Sequence, residues 1–151
     1  MTDIDFTYLI LDAASGPHPK ITNDRIATFL HEHLDQFGDD KQHILKAIEY
    51  AFAEQKGKGG RILLALYEDE IVGAVVLNDT GMGGYIPEHI LVYIATHRNY
   101  RGKGLGSKLM DKAIQNSPGA IALHVEPDNP AKKLYERKGF TNKYLEMRLS
   151  R

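Results

Sequence analysis

The chain has 151 residues, the length of one ordinary domain, so we expect a single domain over residues 1–151. Apolar residues make up 42% of it, enough for a buried core, and the absence of cysteine excludes disulfides, thiolate nucleophiles and cysteine-ligated metals. The amino terminus lacks a basic segment followed by a long apolar run, and no stretch approaches the roughly 18 apolar residues of a membrane span. We therefore expect a cytoplasmic protein without a membrane partner.

The net charge of −1 hides an uneven distribution. Residues 1–97 hold 7 Lys and Arg against 15 Asp and Glu, whereas residues 98–138 hold 9 against 4. Nucleic-acid binding favours a broadly basic protein, so we expect no nucleic-acid partner. A basic segment in an otherwise acidic chain suits a compact anionic ligand, although a solvated helix face explains the same balance equally well.

The first predicted elements are a strand and two helices. An apolar run over residues 6–12 predicts the strand, and Asn23 is placed to cap the first helix. Apolar side chains recur at helical spacing from Asp24 to Phe37, and again over about residues 39–55. A glycine-rich break follows the second helix.

A hairpin comes next, because two apolar runs at 61–68 and 71–78 are joined by the short polar link Asp69–Glu70. The remaining elements are predicted, in chain order, as a strand over 89–95, a helix over 104–115, a strand over 120–125, a short helix over 130–138 and a last strand over 144–149.

The resulting order, β-α-α-β-β-β-α-β-α-β, predicts an α/β protein with a central mixed sheet and helices on both faces. The runs at 89–95 and 120–125 are continuously apolar, which is typical of central strands covered on both faces. A right-handed crossover through the helix between them would set these two strands parallel.

A glycine-rich turn lies between the strand at 89–95 and the following helix. Its glycines let the backbone approach a ligand, and its amide N–H groups lie at a helix amino terminus, where the dipole favours negative charge. Gly106 costs the helix about 0.5–1 kcal/mol relative to alanine, which a plain loop would not require. The turn therefore predicts a phosphate site. The predicted contacts are Arg101, Gly102, Lys103, Gly104, Leu105, Gly106 and Ser107.

Other phosphate-binding motifs fit this turn poorly. The dinucleotide fingerprint G-x-G-x-x-G fails, because Gly102-x-Gly104 is followed by Ser107 where a third glycine is required. A P-loop fails because the chain contains no Gly-Lys-Ser/Thr. A flexible turn without a ligand stays open as the structural alternative.

Two motifs carry a resemblance to a known family. Residues 101–106 (R-x-x-G-x-G), after a buried strand, resemble the coenzyme A pyrophosphate signature of the GNAT superfamily of N-acetyltransferases. Residues 131–140 (A-x-x-L-Y-x-x-x-G-F) are similar to the family's next motif, and the element order also matches over about residues 5–149. The resemblance implies an acyl-CoA N-acyltransferase domain that uses acetyl-CoA as cosubstrate and no metal.

The resemblance also implies a binding site for the rest of the coenzyme. The fourth and fifth strands would splay, often with the help of a bulge, to admit the pantetheine arm. The family has an asparagine seven residues before the tyrosine of its second motif, but here that position is Asp128 and Asn129 follows it. Asn129 has the alternative role of capping a helix that begins at Pro130. The arm would pair with the backbone of Ile94, Ala95 and Thr96.

Candidate catalytic groups follow from the same resemblance. Tyr135 would be the general acid to the departing CoA thiolate, its alternative role being that of a core aromatic residue. A backbone N–H near Ile94 would stabilise the oxyanion. Glu88, at the start of the fourth strand, would be the general base, its alternative role being that of a solvated strand end. Lesser candidates for the base are Tyr93, His97 and His124, the last of which is more readily explained as a satisfied residue on a sheet face.

The sequence thus favours an enzyme that moves an acetyl group from acetyl-CoA to a primary amine by direct attack in a ternary complex. No cysteine is available to carry a covalent acyl group. The acidic amino-terminal two-thirds favours a cationic acceptor, either a small-molecule amine or a protein amine. Two alternatives are a non-catalytic acyl-CoA-binding or regulatory module on the same fold and an unrelated nucleotide binder. Dimers are common among proteins that it resembles, but no exposed apolar stripe in the sequence demands a homodimer.

Overall fold

The computed structural model describes residues 4–151, and residues 1–3 of the expected domain lie outside the described part. Short 3₁₀ turns at Asp35–Phe37 and Arg98–Tyr100 follow the first helix and the fourth strand. The regular elements are β1 (Thr7–Leu11), α1 (Asn23–His33), α2 (Lys41–Ala51), β2 (Gly60–Tyr67), β3 (Glu70–Asp79), β4 (His89–Thr96), α3 (Leu105–Gln115), β5 (Ile121–Leu123) and α4 (Ala131–Arg137).

The five strands form one mixed sheet in the order β1-β2-β3-β4-β5. Neighbouring strands are antiparallel except for β4 and β5, which are parallel as the sequence predicts. The predicted hairpin is β2–β3, although its two turn residues are Glu68 and Asp69, one position earlier than expected. Both have positive φ, 50° and 65°, as a tight two-residue hairpin turn requires.

Helices cover both faces of the sheet, which confirms the predicted architecture. On one face α1 and α2 pack against a core that includes Ile26, Leu30 and Ile48. On the other face α3 and α4 pack against a second core around Leu109 and Met110. The strands buried on both faces are β2 and β3, whose central residues are almost fully inaccessible, whereas β4 alternates between buried and partly exposed positions.

The first helix differs from its prediction at both ends. Its cap is Thr22 rather than Asn23, because the Thr22 hydroxyl accepts a hydrogen bond from the Arg25 N–H at 3.2 Å. The helix ends at His33 instead of continuing to Phe37, since Asp35 adopts a left-handed conformation with φ of 55° that no α-helix accommodates. The apolar spacing beyond His33 continues only as a single 3₁₀ turn.

The carboxyl-terminal third differs from its prediction in two strands. The strand predicted over 120–125 is only three residues long and lies at the edge of the sheet rather than at its centre. The strand predicted over 144–149 is not part of the sheet, because no backbone in the described chain pairs with it, and its apolar side chains are exposed. None of the helices found between residues 4 and 151 has the length and hydrophobicity of a membrane span.

Candidate active site

A cleft opens where β4 and β5 diverge. Parallel pairing joins only His89–Leu91 to Ile121–Leu123. Beyond Leu91, the side of β4 that faces β5 has no strand partner in the described chain, and this half of the strand contains Ile94, Ala95 and Thr96. The splayed strands implied by the resemblance are therefore present, and the three residues expected to pair with the pantetheine arm line the opening.

A β-bulge at Val92 changes the direction of the side chains along β4. On the β3 side, Leu77 pairs with Leu91 and Val76 pairs with Tyr93, so Val92 is the extra residue. Because of this insertion, Val92 and Tyr93 both pack towards α1 and α2, and Ile94 packs towards α3 and α4. The bulge thereby directs Tyr93 to the face of the sheet that carries α1, α2 and the acidic segment between them.

The closed end of the cleft is fixed by a buried cluster around His89, which the sequence analysis did not single out. Its Nδ1 lies 2.7 Å from the Asp79 carboxylate and its Nε2 lies 2.7 Å from the carbonyl oxygen of Pro118. The carbonyl oxygen of Pro118 is an acceptor, so Nε2 donates to it. Arg61 completes the cluster by donating to Asp79 at 3.2 Å and to Ser117 at 2.9 Å. The cluster holds the loop before β5 against the start of β4.

Unpaired amide groups line the predicted phosphate turn at the open end of the cleft. In the part of the chain that the structure describes, no backbone N–H of residues 102–107 donates to another protein group, and the first backbone bond of α3 runs from Lys108 to Gly104. The cap position, Gly104, has no side chain to satisfy these donors, whereas Thr22 does so for α1. Six consecutive free N–H groups at a helix amino terminus are suited to bind an anion.

Glycine occurs at the three positions of the turn for different structural reasons. Gly102 and Gly104 have φ of 79° and 77°, a left-handed conformation that other residues rarely adopt. Gly106 is helical, and a Cβ there would make only ordinary contacts, 3.5 Å from Leu134 and 3.9 Å from Thr96. The folded chain therefore accommodates alanine at 106. The missing side chain leaves space at the helix amino terminus where a phosphate group would bind.

The two arginines of this region bind to residues at and just after the C-terminal end of α1. Arg101 donates to the carbonyl oxygen of His33 at 2.8 Å and lies 3.4 Å from the Asp35 carboxylate. Arg98 binds the same carboxylate at 2.5 Å. The Arg98 hydrogen bond is the main reason why the pKa of Asp35 is below its usual value. Lys103 is exposed at the tip of the turn.

A histidine pair also joins α1 to the turn. The rings of His33 and His97 lie 4.3 Å apart between centroids, and His33 is buried. Burial, together with the neighbouring charges of His97, Arg98 and Arg101, lowers the pKa of His33, so its neutral form is favoured. His33 therefore packs as an aromatic ring between Phe29 and His97.

Tyr135 lies on α4, in the core on the α3 side of the sheet. Burial raises the pKa of its hydroxyl to about 12, so the phenol is protonated at neutral pH. No described group makes a hydrogen bond with this hydroxyl, and the ring packs 6.1 Å from that of Phe140. Tyr135 is therefore a core aromatic residue, as its alternative role requires. Its hydroxyl is nevertheless free to donate a hydrogen bond.

Asn129 has the structural role expected from its position before α4. Its side-chain oxygen accepts a hydrogen bond from the Ala131 N–H at 2.9 Å, which satisfies a donor at the start of the helix. The amide nitrogen of the side chain has no partner among the described residues. The role of Asn129 in coenzyme binding stays a prediction.

The structure gives Glu88 a role other than that of a base. Its carboxylate accepts a hydrogen bond from the Ala120 N–H at 2.5 Å and packs against Gly119, next to the start of β5. Hydrogen bonds from the backbone of Ala120, of Glu88 itself and of Gly84 lower the pKa of Glu88. A carboxylate with a lowered pKa is a weaker base, so this geometry favours a structural function at the start of β4.

Of the lesser candidates for the base, two already make hydrogen bonds within the protein and the third lies outside the sheet. Tyr93 donates to Asp39 at 2.5 Å, and burial with this contact raises the pKa of Tyr93 far above its usual value. His97 Nδ1 accepts from the Asn99 N–H at 3.1 Å, which in a neutral ring leaves the proton on Nε2. His124 is exposed just beyond β5, so the expectation that it sits satisfied on a sheet face is wrong.

An acidic depression of about 500 Å³ lies between α1 and α2, on the side of the sheet to which Tyr93 is directed. These residues were not predicted individually, although three carboxylates within six positions (DQFGDD) are a readable signal in a loop between two helices. We call this surface the acidic depression, and it is lined by His31, Asp35, Gln36, Gly38, Asp39, Asp40 and His43.

A mixed sheet with a β4–β5 cleft and a turn of free N–H groups after β4 defines an α/β domain whose candidate ligand site lies at the ends of its parallel strands. A family model described as "Acetyltransferase (GNAT) family" matches residues 19–140. The chain therefore belongs to the GNAT family of acetyltransferases, whose members use acetyl-CoA and catalyse acyl transfer. Nothing among curated proteins matches the chain.

Solved structures share the fold at low sequence identity. A putative acetyltransferase from Pyrococcus furiosus is 23% identical, with a TM-score of 0.63 over 95% of this chain and 99% of that one. A possible acetyltransferase from Clostridium difficile is 18% identical, with a TM-score of 0.64 over 97% of both chains. An aminoglycoside acetyltransferase from an uncultured soil metagenomic sample is 15% identical, with a TM-score of 0.66 over 97% and 99%. At these identities the likeness supports the fold.

Proposed function

We propose that the protein is an acetyl-CoA-dependent N-acetyltransferase that acts on a cationic primary amine. The observation that carries the proposal is the row of free N–H groups of residues 102–107 at the open end of the β4–β5 cleft. These donors, with Arg101 and Lys103, would bind the diphosphate of the coenzyme. The pantetheine arm would then follow the unpaired half of β4 towards the bulge at Val92.

The proposed acceptor site is the acidic depression. It lies on the α1/α2 side of β4, and its Asp39 accepts a hydrogen bond from Tyr93, the residue that follows the bulge. Its carboxylates would attract an alkylammonium group and orient it against the strand. Among the solved structures, an aminoglycoside acetyltransferase has the same fold, and aminoglycosides are polyamines of the charge that this surface would accept.

The acceptor must lose a proton before it attacks. An alkylamine with a pKa near 10.4 is only about one part in 2,500 neutral at pH 7, a deficit of roughly 4.6 kcal/mol. We assign proton acceptance to His31 or His43, because both line the depression and an imidazole nitrogen can accept a proton from a bound amine. Glu88 is left with its structural hydrogen bond to Ala120.

Attack of the neutral amine on the thioester carbonyl would form an oxyanion, for which a backbone N–H near Ile94 is the proposed donor. As the tetrahedral intermediate breaks down, the C–S bond breaks, the nitrogen loses its second proton to solvent, and the sulfur leaves as the thiolate of a thiol with a pKa near 8.5. Complete proton transfer from Tyr135, whose pKa is about 12, would be uphill by roughly 3.5 pKa units. Tyr135 is therefore proposed to donate a hydrogen bond to the leaving sulfur.

The direct test is release of thiol from acetyl-CoA in the presence of a panel of amines that differ in charge. The proposal predicts amine-dependent release that is fastest with polycationic acceptors. The Asp39→Asn/Asp40→Asn variant should raise KM for those acceptors and leave CoA affinity unchanged. Release only with anionic acceptors would contradict the assignment of the acidic depression. Binding of acetyl-CoA without transfer to any amine would favour the alternative, a non-catalytic acyl-CoA-binding module.

A further inference from the structure

A second pocket, of about 300 Å³, lies on the α1/α2 side of the sheet, where β3 ends and β4 begins. It is lined by Tyr50 of α2, by residues 78–80, by Met82, and by Ile90 and Val92 of β4. We call this surface the apolar pocket. It shares no lining residue with the acidic depression and contains no residue of the phosphate turn, so the activity proposed above leaves it without a function.

The polar side chains of the apolar pocket are already paired within the protein. The Tyr50 hydroxyl donates to the carbonyl oxygen of Asp79 at 2.8 Å, and the Thr80 hydroxyl donates to a carbonyl of the β3–β4 loop at 2.8 Å. In the orientation that satisfies both ends of its amide, Asn78 donates to a carbonyl of α2 at 3.2 Å. The Asp79 carboxylate belongs to the buried cluster around His89. The described residues of this pocket therefore offer no unpaired charge, which favours an apolar ligand group.

Apolar side chains are exposed together at this pocket. Met82 and Ile90 both line it and are 41% and 38% exposed. A turn in the β3–β4 loop adds Ile86, because its N–H donates to the carbonyl oxygen of Met82 at 3.3 Å, and the Ile86 side chain is exposed too. A cluster of exposed apolar side chains inside a concave surface is typical of a ligand-binding groove.

Strand β4 connects the apolar pocket to the proposed acceptor site. Val92 lines the pocket, and the next residue, Tyr93, donates a hydrogen bond to Asp39 of the acidic depression. The bulge places both of these side chains on the α1/α2 side of the sheet. Three residues of extended strand separate Ile90 from Tyr93, a distance of about 10 Å. One small molecule is therefore long enough to occupy both sites.

We propose that the apolar pocket binds a compact apolar group of the acceptor, such as an aromatic ring, while the ammonium group of the same molecule lies in the acidic depression. The inference rests on the proposed function, because it names the class of amine that is acetylated. A dry cavity of about 150 Å³ holds a benzene molecule, so a pocket of about 300 Å³ has room for a ring. The distance along β4 favours a spacer of roughly two to four carbons between the ring and the nitrogen.

Acetyl transfer to two amines of equal charge tests the apolar pocket. Phenylbutylamine carries a ring at the end of its chain, whereas aminobutanol carries a hydroxyl there. The wild type should have a kcat/KM about tenfold higher for phenylbutylamine, because the ring is removed from water in the pocket. Equal values of kcat/KM for the two amines would contradict the proposal.

Variants locate that preference in the molecule. Met82→Ser/Ile90→Thr should reduce it to about twofold or less, because a loop serine and a strand threonine make the pocket polar. The matched control is Ile10→Thr, at another exposed strand position, which should keep the preference of the wild type. Circular dichroism should show all of these proteins folded. An undiminished preference in folded Met82→Ser/Ile90→Thr would place the ring elsewhere.

Methyl NMR separates this inference from the proposed activity. Phenylbutylamine should shift the methyl resonances of Met82, Ile90 and Val92, and aminobutanol should leave them nearly unchanged. These shifts without acetyl transfer to any amine would support the pocket and contradict the acetyltransferase. Transfer to both amines without these shifts would support the acetyltransferase and contradict the pocket. The absence of both would contradict both proposals.

Discussion

Arg101, the predicted phosphate ligand, lies 3.4 Å from the carboxylate of Asp35, which also lines the acidic depression. One ion pair therefore joins the proposed coenzyme site to the proposed acceptor site. The side chains are partly exposed, 45% for Arg101 and 33% for Asp35, so the pair is screened by solvent and can be exchanged for another. A diphosphate at the turn would compete with Asp35 for Arg101.

The first prediction follows from this competition. Asp35→Asn should increase the affinity for CoA by about two- to fivefold, because Arg101 no longer has to leave a carboxylate and one negative charge near the turn is removed. Isothermal titration calorimetry measures the change. Asp40→Asn, in the same depression but without an arginine partner, is the matched control and should bind CoA as the wild type does. Equal affinities in all three proteins would show that Arg101 does not contact the diphosphate.

The glycines of the turn give a second prediction. Gly106→Ala should raise the free energy of unfolding by about 0.5–1 kcal/mol, since the position is helical and a Cβ fits there. It should weaken CoA binding more than tenfold, because the methyl group occupies the space at the helix amino terminus. Denaturant unfolding and calorimetry give the two values. Unchanged CoA affinity in Gly106→Ala would mean that the ligand does not approach this turn.

Gly104→Ala is the companion to that experiment. Alanine at a φ of 77° is strained, so this variant should lose about 1 kcal/mol of stability whether or not a ligand binds. The opposite signs of the two stability changes separate the backbone requirement at Gly104 from the ligand requirement at Gly106. A stabilised Gly104→Ala would show that the turn has another conformation.

The third prediction concerns Tyr135. Tyr135→Phe should lower kcat by about 10- to 100-fold and leave the Kd for CoA within about twofold, because the lost hydroxyl acts on the leaving sulfur and not on the diphosphate. Steady-state kinetics and calorimetry make the comparison. Since burial raises the pKa of the phenol to about 12, the wild type should show no loss of activity from Tyr135 below about pH 11. Equal turnover in the two proteins would leave Tyr135 only its place in the core.

The fourth prediction distinguishes the two roles considered for Glu88. Its pKa is lowered in the folded chain, so its ionised form stabilises the fold above the unfolded pKa, and this contribution is lost as the pH falls through the folded pKa. Glu88→Gln should therefore lower Tm at pH 7, and its Tm should approach that of the wild type as the pH falls through the folded pKa of Glu88. Its pH–rate profile should keep the wild-type shape. A lost pH limb with an unchanged Tm would restore Glu88 as the base.

The sequence was sufficient for the architecture and for the turn. Helical and strand periodicities are local signals, and the positive φ of Gly102 and Gly104 is the backbone requirement that a glycine-rich turn predicts. The predicted cap of α1 was wrong by one residue, because Thr22 and Asn23 are both suitable capping residues. The predicted end was wrong by four residues, because no local sequence signal indicates that Asp35 adopts a left-handed conformation.

The contacts of the candidate catalytic residues were harder to predict from the sequence, because they join residues that are distant in the chain. The hydrogen bond that engages Glu88 comes from Ala120, 32 positions away, and Tyr93 meets Asp39 across 54 positions. Spacing within a motif does not report such contacts. The strand predicted over 144–149 was wrong, because alternation is a local pattern, whereas pairing requires a neighbour that local pattern does not specify.

The most direct measurement is calorimetry with two ligands, CoA and pantetheine, which lacks the diphosphate and the nucleotide. Binding of CoA in a one-to-one complex, with pantetheine at least about 100-fold weaker, is the result expected if the amides of residues 102–107 bind phosphate groups. No heat with CoA, or equal affinity for the two ligands, would contradict the claim that this turn is a coenzyme site.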